Sequence, residues 1–200
     1  MESLRERSSH LGLTVPPGLL SPLERYYLLL ARWNRRINLT ALPLEGFPAS
    51  TLDRLIFEPL AAAETLGSVS GSWFDIGSGG GSPAIPLRLA LPRLQLTMVE
   101  SKGRKAAFLR EAVRQLCLEQ VTVLTSRIED ITVEKETPVG VVTVRALRLE
   151  GSVSTALRLL LQEGGRLILF GGAPPDAQDF QLVDEQLLPG GSLLRVFSRR

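Results

Sequence analysis

The segment Phe74-Asp75-Ile76-Gly77-Ser78-Gly79-Gly80-Gly81-Ser82-Pro83 concentrates the residue types that can hold a cofactor against a backbone. Glycines let a turn take positive φ and approach a ligand closely, and Pro83 suits the first position of a helix whose N-terminus then faces the site. Asp75 stands two residues before Gly77, so the run reads D-x-G-x-G-x-G. Two cofactors suit such a turn. Gly79-x-Gly81-x-x-Ala84 matches the dinucleotide fingerprint G-x-G-x-x-A, and Glu100 lies about 20 residues beyond it, where a carboxylate grips ribose hydroxyls. Asp75 weighs against a pyrophosphate, which it would repel; it would instead accept from the ammonium of an amino-acid moiety, directly or through water. The charge pattern favours S-adenosylmethionine, which has no phosphate and carries ammonium and sulfonium cations, and Glu100 keeps the ribose role in either case. A third segment, Ser126-Arg127-Ile128-Glu129-Asp130, offers Ile128 to pack on an adenine face and an acid and a backbone N–H to read its edge.

Such a turn needs a strand before it and a helix after it. Short apolar runs at 73–76, 94–99, 121–124, 139–144, 166–170 and 193–197 read as strands, and 83–91, 103–116 and 153–161 between them read as amphipathic helices. Strands alternating with helices predict an α/β, Rossmann-like fold with a mostly parallel sheet and helices on both faces, in which ligands bind outside the carboxyl ends of the strands. Upstream, Ser21-Pro22 reads as an N-cap followed by proline at the first helical position, with Leu23, Tyr26, Tyr27, Leu30 and Trp33 on one face of a helix that ends near Asn34. A second helical stretch spans 50–66, and Ile37-Asn38-Leu39-Thr40 forms a corner between the two. Residues 43–48 and 171–175 read as loops. The division is a helical extension over 1–68 and a Rossmann-like core over 69–200, packed as one compact unit.

Composition narrows the function classes. Apolar residues make up 44% and charged residues 22% of 200 residues, an ordinary globular balance. No run approaches the roughly 18 apolar residues of a membrane helix, and residues 1–7 carry four charges with no apolar stretch behind them, so a soluble, cytoplasmic protein is expected. A single cysteine, Cys117, excludes an internal disulfide framework, and with one histidine, His10, no zinc site is expected. Cys117 reads as core and His10 as surface. Net charge is only +2, yet the cations are twenty arginines and three lysines, and arginine suits phosphate and base recognition.

With these pieces assembled, the chain resembles the bacterial small-subunit rRNA guanine-N7 methyltransferases, also called glucose-inhibited division protein B. The resemblance runs from about Tyr26 to the C-terminus. It rests on Trp33-Asn34-x-x-Ile37-Asn38-Leu39-Thr40, the glycine turn continuing to Ile85-Pro86-Leu87, Glu100-Ser101-x-Gly103-Arg104-Lys105 with Phe108-Leu109-Arg110, Ser126-Arg127-Ile128-Glu129, and Val144-Arg145-Ala146. It implies S-adenosylmethionine held by Gly77, Ser82, Ile128, Glu129 and Arg145, with Glu100 on the ribose; Asp75, Gly79 and Gly81 of the turn are expected to bind the cofactor as well. It also implies methyl transfer to a guanine of 16S rRNA, on naked RNA or the 30S particle, by a monomer. Guanine N7 carries an in-plane lone pair, so no general base is needed and Arg145 is the candidate for positioning.

Lys102, Arg104 and Lys105 open a helix where the dipole disfavours cations, which points to phosphate contact; Arg32, Arg35, Arg36, Asn38 and Arg148 are further RNA candidates. Three positions depart from the family pattern. Arg54-Leu55-Ile56-Phe57-Glu58-Pro59 replaces Arg-His-Ile-x-Asp-Ser, Phe170 replaces a lysine before Gly171, and Ser82 replaces a bulky apolar residue. These changes remove polar groups from the expected substrate side and raise the alternative of a divergent member that binds cofactor and ribosome with altered or lost transfer activity. A dinucleotide-dependent oxidoreductase is disfavoured by Asp75 and by the lack of a proton-relay residue.

Overall fold

A computed structural model describes residues 4–67, 71–131 and 138–200. The expected boundary at 68/69 and the first three residues of the charged start lie outside the described residues. Helices α1 (Leu4–His10), α2 (Pro17–Asn34) and α3 (Ala49–Leu52), a π-helical turn (Asp53–Phe57), α4 (Glu58–Ala61) and α5 (Ala63–Gly67) come first. They are followed by β1 (Ser72–Ile76), α6 (Ala84–Ala90), β2 (Gln95–Val99), α7 (Gly103–Gln115), β3 (Val121–Leu124) and a 3-10 turn (Ile128–Asp130). The chain ends with β4 (Val139–Arg145), α8 (Ser152–Leu160), β5 (Leu161–Phe170), β6 (Phe180–Leu187) and β7 (Leu193–Arg199). No described helix is long and apolar enough to cross a membrane.

The sheet order is β3-β2-β1-β4-β5-β7-β6. The first five strands pair in parallel, and β7 and β6 close the far edge antiparallel. Strand order reverses at β1 and β4, so the glycine turn that follows β1 opens onto the topological switch point, where ligands bind in such sheets. Side chains alternate between two cores. Trp73, Leu96, Met98, Val141 and Ile168 pack under α2, α6 and α7, whereas Phe74, Val99, Val142 and Leu167 pack under α8.

Three expectations are corrected, and one strand goes unpredicted. Helix α2 starts at Pro17 with Pro16 at the cap position, so Ser21 caps nothing and Pro22 lies inside the helix. Pro22 removes one N–H from the ladder, a loss offset by Leu19, Leu20 and Leu23 packing against the core. The stretch 50–66 is a chain of short pieces around the π turn, because Pro59 cannot donate to a helix. Cys117 is exposed with φ +51°, just past the end of α7, so its apolar neighbours in sequence do not bury it. Strand β6 carries no alternating apolar signal: Leu182, Val183 and Leu187 are exposed at the sheet edge, where register shifts between Leu182 and Asp184.

Helix α2 clamps the glycine turn from outside the sheet. Tyr26, buried in the core, donates through its hydroxyl to the Gly80 carbonyl at 2.7 Å. A Cβ on Gly80 would sit 3.2 Å from Leu30 Cδ1 and 3.3 Å from the Leu39 carbonyl oxygen, so this glycine answers to the helical extension. The corner after α2 is tied by Asn34, whose Oδ1 accepts from the Leu39 and Thr40 N–H groups and whose Nδ2 donates to the Thr40 carbonyl. Trp33 meets Phe108 edge-on at 5.8 Å. Tyr26→Phe removes this part-buried hydrogen bond and is expected to lower stability by about 1 kcal/mol in urea unfolding with secondary structure unchanged; an unchanged midpoint would show that the bond does not hold the turn.

Candidate cofactor and active site

Gly77 is exposed with φ +73°, and no atom lies within 4 Å of where its Cβ would be. The Gly77 and Ser78 N–H groups both donate to the Val99 carbonyl at the end of β2. Two cavities meet at this residue. One, of about 190 Å³, is lined by Ile76, Gly77, Val99, Ser101, Ile128 and Glu129 among others. The other, of about 350 Å³, is lined by Thr40, Arg54, Leu55, Ser82, Lys105 and Arg145 around the Gly77–Gly80 backbone. The expected site residues Gly77, Gly79, Ser82, Ile128, Glu129 and Arg145 therefore share one mouth at the carboxyl ends of β1 and β4.

Other expected residues sit one layer back. Asp75 belongs to β1 rather than to the turn and is 1% exposed, lining neither cavity. Its Oδ1 accepts from Thr143 Oγ1 at 2.5 Å, Thr143 in turn accepts from Trp73 Nε1 at 2.9 Å, and Oδ2 has no partner. Burial pushes its carboxyl up to about 6, against the pull of Thr143 and Arg145. Glu100 is buried, with Oε2 accepting from the Gly79 N–H at 2.9 Å and Oε1 from the Lys102 N–H at 2.8 Å, so it fastens the glycine turn to the start of α7. Each oxygen keeps a further lone pair for a ligand hydroxyl. Gly81 takes φ +84°, which favours glycine, and an added Cβ would also press on the Ile85 side chain at the start of α6. Lys102, Arg104, Arg35, Arg36, Asn38 and Arg148 are exposed outside both cavities, and Lys105 alone of the RNA candidates lines one.

Arg145, at the end of β4, is the most heavily bound side chain of the site. Its Nη1 donates to the Arg54 carbonyl at 2.5 Å and to Ser82 Oγ at 3.0 Å, its Nη2 donates to Glu58 Oε2 at 2.8 Å, and its guanidinium lies 4.6 Å over the Phe170 ring. Nε is buried without a partner. Burial lowers the guanidinium to about 10, opposed by Glu58, so it stays charged at neutral pH. The local backbone explains the geometry. In the π turn the Glu58 N–H donates to Asp53 rather than Arg54, and Pro59 has none to give. The carbonyls of Arg54 and Leu55 are thus left open; Arg145 takes the first, and Ser82 Oγ donates to the second at 2.9 Å. Sequence patterns assigned no site role to Tyr26, Leu39, Thr40, Glu58 or Ser192: Leu39 and Thr40 entered only as part of the corner motif, and Glu58 only within the stretch 54–59 that departs from the family pattern, where Arg54 and Glu58 pair at 3.3 Å across a four-residue spacing.

The raised Asp75 carboxyl has a pH signature. An acid whose folded value is about 6 against an ordinary 3.8 binds a proton more tightly when folded, so its contribution to stability falls as pH rises from about 4 to about 6. Asp75→Asn lacks this slope. The melting temperature of Asp75→Asn relative to the parent is expected to rise by on the order of 5 °C between pH 4.5 and 6.5 in scanning calorimetry; a pH-independent difference would place the carboxyl at an ordinary value.

The family model described as rRNA small subunit methyltransferase G (GidB) matches residues 19–188. A curated relative from Stenotrophomonas maltophilia (strain K279a), named Ribosomal RNA small subunit methyltransferase G, is 38% identical over 182 residues, covering 90% of this chain and 81% of the relative. One of the same name from Xanthomonas campestris pv. campestris (strain B100) is 40% identical over 157 residues, covering 78% and 70%. Among solved structures, a SAM-dependent methyltransferase from Aquifex aeolicus shares the fold at TM-score 0.58 and 16% identity, covering 74% of this chain and 92% of that one. The extent of these matches makes this chain a member of the rRNA small subunit methyltransferase G family.

Proposed function

We propose that this protein transfers a methyl group from S-adenosylmethionine to N7 of a guanine in 16S rRNA, acting in the cytoplasm as a monomer. The observation that carries this reading is the pair of cavities joined at Gly77. The smaller, with Ile128, Glu129 and Ser101 around it and Glu100 behind, suits an adenosine. The larger suits an amino-acid moiety and an acceptor base, since it has apolar walls in Leu39, Leu42 and Leu55 and cations in Arg54, Lys105 and Arg145. The polar groups fit the cofactor too. Arg145 Nε is a buried donor awaiting an acceptor such as a carboxylate, and Asp75 Oδ2 is a buried acceptor whose negative field favours ammonium and sulfonium charge. A pyrophosphate finds no such welcome beside Asp75.

When bound, S-adenosylmethionine supplies an electrophilic methyl on a sulfonium centre. The chain's residues have a modest chemical task, because guanine N7 is a nucleophile without deprotonation. Leu39, Leu42 and Leu55 exclude water from the larger cavity, and Arg145 fixes its polar side. Lys105, which lines the larger cavity, and the exposed Lys102 and Arg104 around the start of α7 would take backbone phosphates.

Gly77→Arg fills the junction of the two cavities and is expected to abolish binding of S-adenosylhomocysteine in calorimetry; retained affinity would move the site elsewhere. Transfer of labelled methyl to purified 30S subunits and to naked 16S rRNA tests the reaction, and cofactor binding without transfer to either would favour a binding protein instead. Reversing Lys102 and Arg104 to Glu is expected to raise the KM for RNA several-fold and flatten the log–log salt dependence by about 0.7–0.9 for each phosphate no longer neutralised, with cofactor affinity within about twofold of the parent. An unchanged KM would take α7 off the RNA.

A further inference from the structure

Glu58 is fully buried, and its carboxylate gathers three parts of the chain that are distant in sequence. Oε2 accepts from Arg145 Nη2 at 2.8 Å at the end of β4. Oε1 accepts from Ser192 Oγ, in the turn between β6 and β7, and from Arg54 Nη1 at 3.3 Å. The same turn is shaped to the carboxylate: a Cβ on Gly190 would lie 2.5 Å from Glu58 Oε1. Every other polar contact of the Arg145 guanidinium is a neutral acceptor, the Arg54 carbonyl and Ser82 Oγ. Glu58 is therefore the one counter-charge within ion-pair distance that holds this cation in place, among the described residues. Arg54, the second cation on Glu58, repels Arg145 and would push it away if that charge were lost.

We infer that Glu58 is a positioning residue for methyl transfer: it acts through Arg145, fixing the guanidinium in the wall of the larger cavity with Nε–H left without an acceptor, and it ties the turn between β6 and β7 to the active site. The inference rests on the proposed cofactor reading. Glu58 lines neither of the two cavities that meet at Gly77, so its effect on a ligand there must pass through Arg145. Gln in its place offers one acceptor oxygen to three donors and no charge, which leaves Arg145 without a fixed direction.

A double-mutant cycle on cofactor affinity separates positioning from mere support of the fold. Glu58→Gln, Arg145→Gln and the double variant are titrated with S-adenosylhomocysteine by calorimetry, with melting temperatures measured in parallel. Glu58→Gln is expected to weaken binding at least tenfold in the parent and less than twofold once residue 145 is already Gln. Ser192→Ala, which keeps the carboxylate and removes only its tie to the turn, gives a smaller loss of two- to fivefold and serves where Glu58→Gln fails to fold. Equal losses from Glu58→Gln in both backgrounds, or lowered melting with unchanged affinity for both Glu58→Gln and Ser192→Ala, would overturn the assignment. A parent protein that binds no S-adenosylhomocysteine would overturn the cofactor reading itself, a different result from a parent that binds while the variants bind equally well.

Discussion

The ion pair between Glu58 and Arg145 is the constraint around which the site is built. Neither charge is stable in isolation where it lies: a buried carboxylate or guanidinium costs several kcal/mol unless it is paired and its remaining hydrogen-bonding groups are met. The fold meets nearly all of them. Glu58 accepts from Arg145, Arg54 and Ser192, and Arg145 donates to Glu58, Ser82 and a main-chain carbonyl and lies over an aromatic face. The extension, the parallel sheet and the antiparallel hairpin at its edge must all be in place for either charge to be tolerated. A site assembled this way resists partial folding, because loss of any one segment strands a buried charge.

Positions that look like losses in the sequence become connected around this pair. Pro59 withdraws an N–H from the helix and opens the Leu55 carbonyl; Ser82 donates to that carbonyl and accepts from Arg145. Phe170 lies beneath the Arg145 guanidinium, and Glu58 neutralises it. A proline in a helix and a serine after a glycine turn are each unfavourable or neutral alone. Together they satisfy one another's hydrogen-bonding needs.

The helical extension is equally part of the cofactor turn. Tyr26 and Leu30 of α2, with Leu39 from the corner, press on Gly80, while Glu100 and the β2 carbonyl at Val99 hold the turn from the other side. The backbone that must approach a ligand is thus pre-set from both sides, which lowers the ordering cost of binding. In the cofactor turn the glycines divide by physical cause: Gly77 leaves room at the mouth, Gly80 yields to α2, and Gly81 takes a positive φ beside Ile85.

The sequence alone determined the strand–helix alternation, the switch-point turn and the family, since these rest on local periodicity and on glycine chemistry within short windows. Gly77, Ser82, Ile128, Glu129 and Arg145, grouped only through the family resemblance, line the two cavities that share Gly77, because in this fold the loops after successive parallel strands open on the same edge. The sequence misplaced Ser21 as a cap and Cys117 in the core, where packing and a local turn outweighed pattern, and it passed over β6, an edge strand with no buried face to impose alternation. Only the tertiary structure decided what Arg145 binds. Its partners Ser82 and Glu58 lie 63 and 87 residues away, and Glu58 meets Ser192 across 134. Contacts of that span leave no periodic trace in a single chain, because they are selected by the fold as a whole and not by the residues beside them.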